Sequence, residues 1–237
     1  MSDALAEWVQ TVAYCENDRY AQAVLLSKMH NNQLERAPIW DDIRTLHGSM
    51  LEKIDIIFGG FPCQDISVAG NGKGLEGKRS GLFFEVLRLA KEIKPTFIFL
   101  ENVPAIRIRG AARVGKELAA CGYDCRWHTL SAQEVGANHK RERWFLLAAN
   151  TSDSGFGSIF QQIEKFGSQK KANTWSNGKI QPMANRLNDT KWWSVEPNVG
   201  RVADGVAARV DRLKAIGNGQ VPLCAATAWR WLNQDWS

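Results

Sequence analysis

The chain has 237 residues, 44% of them hydrophobic, with 30 basic against 25 acidic side chains and a formal charge of +5. That length suits one medium domain, alone or with a small appendage, and the apolar content excludes a disordered chain. No apolar run is long enough to span a bilayer, the acidic start Met1-Ser-Asp-Ala-Leu-Ala-Glu7 does not read as a signal peptide, and five scattered cysteines suit a reducing cytoplasm rather than a disulfide scaffold.

Residues 11–16 (Thr-Val-Ala-Tyr-Cys-Glu) read as a first strand, followed by a helix over 19–29 with Tyr20, Val24 and Leu25 on one face. The apolar run at 54–58 reads as a buried parallel strand, and a helix over 81–93 ends near Pro95, which cannot continue it. Residues 96–100 (Thr-Phe-Ile-Phe-Leu) are apolar enough for a strand covered on both faces. A helix around 114–120 and strands at 123–130 and 143–149 complete the alternation. It implies βαβ units and an α/β fold with a doubly wound, mostly parallel sheet.

Beyond Asn150 the chain changes character. Residues 151–200 are rich in Ser, Gly, Asn, Gln and Lys, and read as a small variable region after a first unit of residues 1–150. Residues 201–237 return to that unit through a helix over 222–232. Cys121 and Cys125 lack the partners of a zinc site and read as ordinary thiols. Of ten tryptophans, Trp192, Trp193, Trp229, Trp231 and Trp236 lie near the end, and most are expected to pack internally.

The chemistry centres on Phe58-Gly-Gly-Phe-Pro-Cys-Gln-Asp-Ile-Ser67. Two glycines and a proline stop the strand and leave the Cys63 thiol at its carboxyl end, where open α/β sheets place ligands and catalytic groups. A reactive nucleophile is the favoured reading and a buried structural thiol the competing one. Glu101-Asn102-Val103 follows the next strand. If the two strands are neighbours, Glu101 faces the same crevice as Cys63, as an acid beside a nucleophile; a helix-capping role is the alternative.

His139-Lys-Arg-Glu-Arg143 precedes the strand at 144–149, and alternation puts Arg141 and Arg143 on one side; a solvated charge run is the bland reading. Ala215-Ile-Gly-Asn-Gly-Gln-Val-Pro222 is a glycine turn into the last helix.

Pro-Cys-Gln, then Glu-Asn-Val, then an arginine pair, then Gly-Asn before a helix, in that order, resembles the cytosine-5 DNA methyltransferases of bacteria and phages. The similarity runs from about Thr11 to Trp229, interrupted by the variable stretch, and the segment from Ser67 to Gly81 resembles that family's mobile loop. The resemblance implies a catalytic domain over 1–150 and target recognition by 151–200. It implies a methyl transfer from S-adenosyl-L-methionine to carbon 5 of a cytosine flipped out of double-stranded DNA. In that role Cys63 attacks carbon 6, Glu101 acts at nitrogen 3, and Arg143 with Arg141 holds the base or its phosphates. Cofactor contacts are implied for Glu16 at the ribose, Asp42 and Ile43 at the adenine, and for Pro62 and Asn218.

One family motif, Phe-x-Gly-x-Gly-Gly, has no counterpart in these residues. Met1-Ser-Asp-Ala-Leu-Ala-Glu-Trp8 resembles the helix that would follow it, so the first strand and glycine loop are expected to be missing. A late start codon, gene decay or a split enzyme would each account for that, and weak binding of S-adenosylmethionine by the chain alone is expected. The chain is expected to be a monomer, in the last case with a separate N-terminal fragment. Smaller departures, His139 and Gly219-Gln220, are expected to be tolerated. A non-catalytic DNA-binding relative and a tRNA cytosine methyltransferase remain as alternatives.

Overall fold

Two apolar runs that alternate their side chains to opposite sides of one sheet set the architecture. The computed structural model describes residues 9–62, 81–153, 156, 157, 159, 175, 176, 179, 180, 219–234 and 236. In chain order these give β1 (Tyr14–Cys15), α1 (Arg19–His30), β2 (Ile39–Trp40), β3 (Ile56–Gly60), α2 (Gly81–Ile93) and β4 (Phe97–Asn102). Then follow α3 (Ile106–Arg109), α4 (Ala111–Ala119), β5 (Asp124–Ser131), β6 (Glu142–Ala149), a two-residue antiparallel pair β7 (Trp175–Ser176) and β8 (Lys179–Ile180), and α5 (Pro222–Leu232).

The main sheet has the order β3-β4-β6-β5. β3 and β4 are parallel, while β6 is antiparallel to both neighbours, so three of the four strands run one way and only β6 is reversed. This is the expected α/β arrangement with a mostly parallel sheet. β1 and β2 form a separate parallel pair, and the edges of β1 and β3 turned away from β2 and β4 pair with no strand among the described residues.

β4 is buried along both faces because helices cover it on each side. Ile98 and Leu100 join Trp144 and Leu146 of β6 beneath α2 and α4, with Phe83, Val86, Leu87 and Ala90 forming the inward stripe of α2 at helical spacing. Phe97 and Phe99 join Phe145 and Leu147 on the other face, beneath Ala225, Ala228, Trp229 and Leu232 of α5. The last helix therefore returns to the first unit, as its apolar face implied. Lys94 takes a left-handed φ of 52° after α2, and Pro95 prevents continuation.

Expected bounds shift where the pattern is short. The strand expected over 11–16 covers only Tyr14–Cys15, and β2 had no periodicity to announce it. The strand expected to stop at Leu100 runs on through Glu101 and Asn102, which pair with Phe145 and Trp144.

The stretch after β2 is held to α2 by Arg88 and Glu92. Arg88 donates from Nη2 to the carbonyl oxygens of Ile43 and Leu46, each at 2.8 Å, and pairs with Glu85 and Glu92, each at 2.7 Å. Glu92 in turn accepts from the Gly48 amide at 2.7 Å. A Cβ at Gly48 would lie 2.8 Å from Ile93, so the backbone can approach this closely only without one. Arg88→Met is expected to lower the unfolding free energy by about 2 kcal/mol, read by urea denaturation, because two carbonyls and two carboxylates lose a charged donor together.

Candidate active site

Glu101 is positioned by strand register rather than by a helix cap. It sits opposite Gly60 of β3 and Phe145 of β6, at the carboxyl end of β4 and on the α5 face of the sheet. The glycine leaves room for the acid: a Cβ at Gly60 would stand 3.3 Å from Glu101 Oε2. Arg143, two residues before Phe145 and so on the same face, meets Glu101 Oε1 with its Nε at 2.8 Å, and the two side chains are only 17% and 13% exposed.

The residues that lead into α5 close on the same rim, where Arg141 donates to the carbonyl oxygen of Gly219. Burial raises the pKa of Glu101 above that of an ordinary glutamate, and Arg143, Gln220 and Arg141 oppose the rise without cancelling it. For Arg141, burial and the neighbouring Arg143 charge lower the pKa, with Glu101 acting the other way. The arrangement is a largely buried carboxyl whose pKa is raised by burial, held beside a guanidinium. Such a group can deliver a proton or a strong hydrogen bond to a base placed beside it.

The ends of β3 and β4 are also tied together. Asn102, on the opposite face and buried, donates from Nδ2 to the Phe61 carbonyl oxygen at 2.7 Å and accepts from the Val103 amide at 2.8 Å. This fixes the chain just before Pro62, at the threshold of the expected nucleophile. Cys63 itself, Asn218, the segment from Ser67 to Ser80, and most of the variable region lie outside the described residues.

The expected cofactor residues gather at a second rim. Parallel pairing of β1 with β2 joins the Glu16 amide to the Trp40 carbonyl oxygen at 2.9 Å, so that Glu16, Asp41 and Asp42 surround Cys15. Partial desolvation at this exposed position, and then these three acids, push the Cys15 thiol up to about 11. Glu16 Oε1 accepts from the Asp18 amide at 2.8 Å, while its other oxygen has no hydrogen bond among the described residues and can accept from a vicinal diol. Asp42 is gripped by Arg44, whose backbone and side-chain N–H groups engage both of its oxygens and lower its pKa. Ile43 packs against the core beneath α2. The acceptor oxygen of Glu16 fits the hydroxyls of a nucleoside ribose.

The structure thus brings Glu101, Arg141 and Arg143 together at one rim, with Pro62 at the neighbouring strand end, and Glu16, Asp42 and Ile43 at the other. Two contributors were not given a role from the sequence. Asn102 was visible as the neighbour of Glu101, and Gly60 as one of two glycines ending a strand.

Comparison with known proteins agrees with this geometry. Residues 4–205 match the family model described as C-5 cytosine-specific DNA methylase. The Type II methyltransferase M.CviJI of Paramecium bursaria Chlorella virus IL3A is 39% identical over 139 residues, covering 58% of this chain and 36% of that protein. The Type II methyltransferase M2.BsuMI of Bacillus subtilis (strain 168) is 33% identical over 151 residues, covering 60% of this chain and 37% of that protein. The chain therefore spans well under half the length of these two relatives. A solved structure of a Spodoptera frugiperda DNMT2 mutant shares the fold, with a TM-score of 0.51 and 21% identity over 63% of this chain and 46% of that one. With most of its length matched by the family model and its acid, arginine pair and strand ends assembled at one rim, the chain belongs to the C-5 cytosine-specific DNA methylase family.

Proposed function

We propose that the chain transfers the methyl group of S-adenosylmethionine to carbon 5 of a cytosine in double-stranded DNA, flipped out of the helix to reach the site. The observation that supports this most directly is the largely buried Glu101 carboxyl, its pKa raised by burial, paired with Arg143 at the end of β4 beside the tethered end of β3. In this reading the Cys63 thiolate forms a bond to carbon 6 of the ring. Electrons move toward nitrogen 3, where Glu101 releases its proton. Arg143 and Arg141 hold the base or its phosphates. S-adenosylmethionine, when bound, supplies an electrophilic methyl group to the carbon 5 that this addition makes electron-rich. Transfer of the carbon-5 proton to a solvent base forms the carbon 5–carbon 6 double bond as the carbon 6–sulfur bond breaks; the Cys63 thiolate leaves and the nitrogen-3 proton returns to Glu101.

Glu16 would hold the ribose hydroxyls, Asp42 and Ile43 the adenine, and Pro62 and Asn218 the remainder of the cofactor site. Residues 151–200 would form the target-recognition region against the major groove, between the catalytic unit 1–150 and the returning segment 201–237. The cytoplasm of a bacterial or phage-infected cell is the proposed setting. We also infer a monomer on DNA, completed at the methionine half of the cofactor by a strand and glycine loop beside β1 and β3, whose outer edges pair with no strand among the described residues. A separate fragment can supply that strand. Micromolar cofactor binding by the chain alone, measured by calorimetry, would remove the need for it.

The deciding experiment is covalent trapping on duplex DNA carrying 5-fluorocytosine, with S-adenosylmethionine present. A denaturation-resistant adduct that disappears in Cys63→Ala is the expected result. Binding without capture would instead make the chain a DNA-binding module, and capture on RNA alone would move the substrate to a tRNA cytosine.

A further inference from the structure

The turn that follows Glu101 presents cations with no acid beside them in the chain. From Asn102 to Lys116 the sequence carries Arg107, Arg109, Arg113 and Lys116 and no acidic residue. The backbone of this turn is closed on itself: the Ile106 amide donates to the Val103 carbonyl oxygen at 3.1 Å, and the Gly110 amide to that of Ile106 at 2.8 Å. Ile106 is buried in the core beneath α2 and α4, which anchors the turn and leaves the next three residues outside. Arg107 and Arg109 are exposed, and Ile108 between them is 94% exposed. The Arg107 guanidinium lies 5.6 Å from the ring centre of Trp127, itself 48% exposed. Trp127 belongs to the edge strand β5 and pairs with Leu146, which pairs with Leu100. It therefore stands two strands from β4, one residue below the level of Glu101. Arg113 is engaged by Glu117 and the Phe84 ring, whereas the Arg109 side chain forms no hydrogen bond or ion pair among the described residues.

One exposed isoleucine alone signifies little. Flanked by two arginines that pair with no carboxylate, and beside a half-exposed indole, it belongs to a surface whose charge has no counterpart in the turn. Guanidinium N–H groups fit phosphate oxygens, and stacking against a ring orients the group without binding it to an anion. We propose that Arg107 and Arg109 hold backbone phosphates of double-stranded DNA beside the flipped cytosine, with Ile108 against the sugar between them. This rests on the proposed action on DNA and adds a contact surface to it. Glu101, Arg141 and Arg143 stand at the same rim toward the face covered by α5, whereas Ile106 and Trp127 lie on the face covered by α2 and α4. The DNA strand that delivers the base is thus gripped from both sides of the crevice. Contacts of this kind fix position and carry no sequence choice.

The test is fluorescence anisotropy of the full 237-residue chain with a labelled DNA duplex over a series of salt concentrations, without cofactor. Each phosphate contact contributes about 0.9 to the slope of log affinity against log salt, so Arg107→Ala/Arg109→Ala is expected to reduce that slope by about 2. The same two contacts correspond to a fall in affinity of roughly tenfold or more at about 0.1 M salt, alike for duplexes of unrelated sequence. Arg107→Lys/Arg109→Lys retains the charge and is expected to keep most of the slope. Arg109→Ala alone, which breaks no side-chain contact among the described residues, is expected to lose about 1 and decides the matter if the double alanine variant fails to fold. Lys53→Ala/Lys91→Ala removes two exposed cations near the amino ends of β3 and β4 and is the control expected to leave the slope in place. Wild-type binding with a slope that the Arg107 and Arg109 variants leave unchanged, or that loss of Lys53 and Lys91 lowers as much, overturns this surface and leaves the methyl-transfer reading standing. A wild-type chain without salt-dependent duplex binding overturns both.

Discussion

Glu101→Gln is expected to slow adduct formation with 5-fluorocytosine DNA by 10²- to 10⁴-fold, the usual loss when a positioned general acid is removed. That corresponds to about 3–5 kcal/mol of barrier at 1.36 kcal/mol per decade. The substitution is nearly isosteric, and the amide oxygen can still accept from Arg143 Nε, which lies 2.8 Å from the native carboxylate. What it cannot do is give up a proton as charge develops at nitrogen 3. The loss should appear in the rate of a single turnover, with the DNA dissociation constant little changed. A decrease below tenfold would remove Glu101 from the chemistry and leave it as the structural partner of Arg143.

The same variant reports on the burial of the acid. Glu101 has a folded-state pKa raised above 4.5, so the native protein holds a proton that the unfolded chain has already released. Below about pH 4.5 both states are protonated and the residue contributes no pH dependence. As pH rises from there through the folded pKa, stability is lost, because ionising the buried group opposes folding. Glu101→Gln lacks this titration. The difference in unfolding free energy between variant and wild type should therefore shift in favour of the variant across that window and level off above it. The slope is the diagnostic quantity, since the constant offset includes the buried guanidinium of Arg143 left facing an amide.

Much of this site was legible because its residues sit at the ends of strongly patterned elements. An apolar run such as 96–100 announces a buried strand, α2 begins and ends where its stripe and Pro95 require, and the acid that follows the run could be assigned to a rim without coordinates. Short or non-periodic features were not legible. β2 is two residues long, and its strand character arises from pairing with β1 rather than from its own pattern. The extension of β4 through Glu101 and Asn102 likewise depends on β6 offering Phe145 and Trp144 as partners. Contacts between residues far apart in sequence were hidden for the same reason. Arg141 meets the Gly219 carbonyl across seventy-eight residues, and Arg88 reaches Ile43 and Leu46 across forty-five and forty-two. Both links depend on how whole helices dock, which no local window encodes.

Docking of α5 is where the largest stability effect is expected. Trp229 is among the largest fully buried side chains, and its ring lies 5.9 Å from Phe58, 5.7 Å from Phe97 and 5.3 Å from Phe99, the last nearly perpendicular. One side chain thus joins the last helix to both β3 and β4 through edge-on and tilted aromatic contacts, the geometries that aromatic quadrupoles favour. Trp229→Ala opens a cavity among three rings held by two rigid strands, which cannot collapse into it. The expected loss is about 3–5 kcal/mol, a large share of the 5–15 kcal/mol that stabilises a typical domain. Trp229→Phe should lose appreciably less, because an aromatic ring remains against Phe99. Urea midpoints of the two variants provide the measurement. A Trp229→Ala protein with wild-type stability would mean that α5 is not fastened to the sheet by this residue.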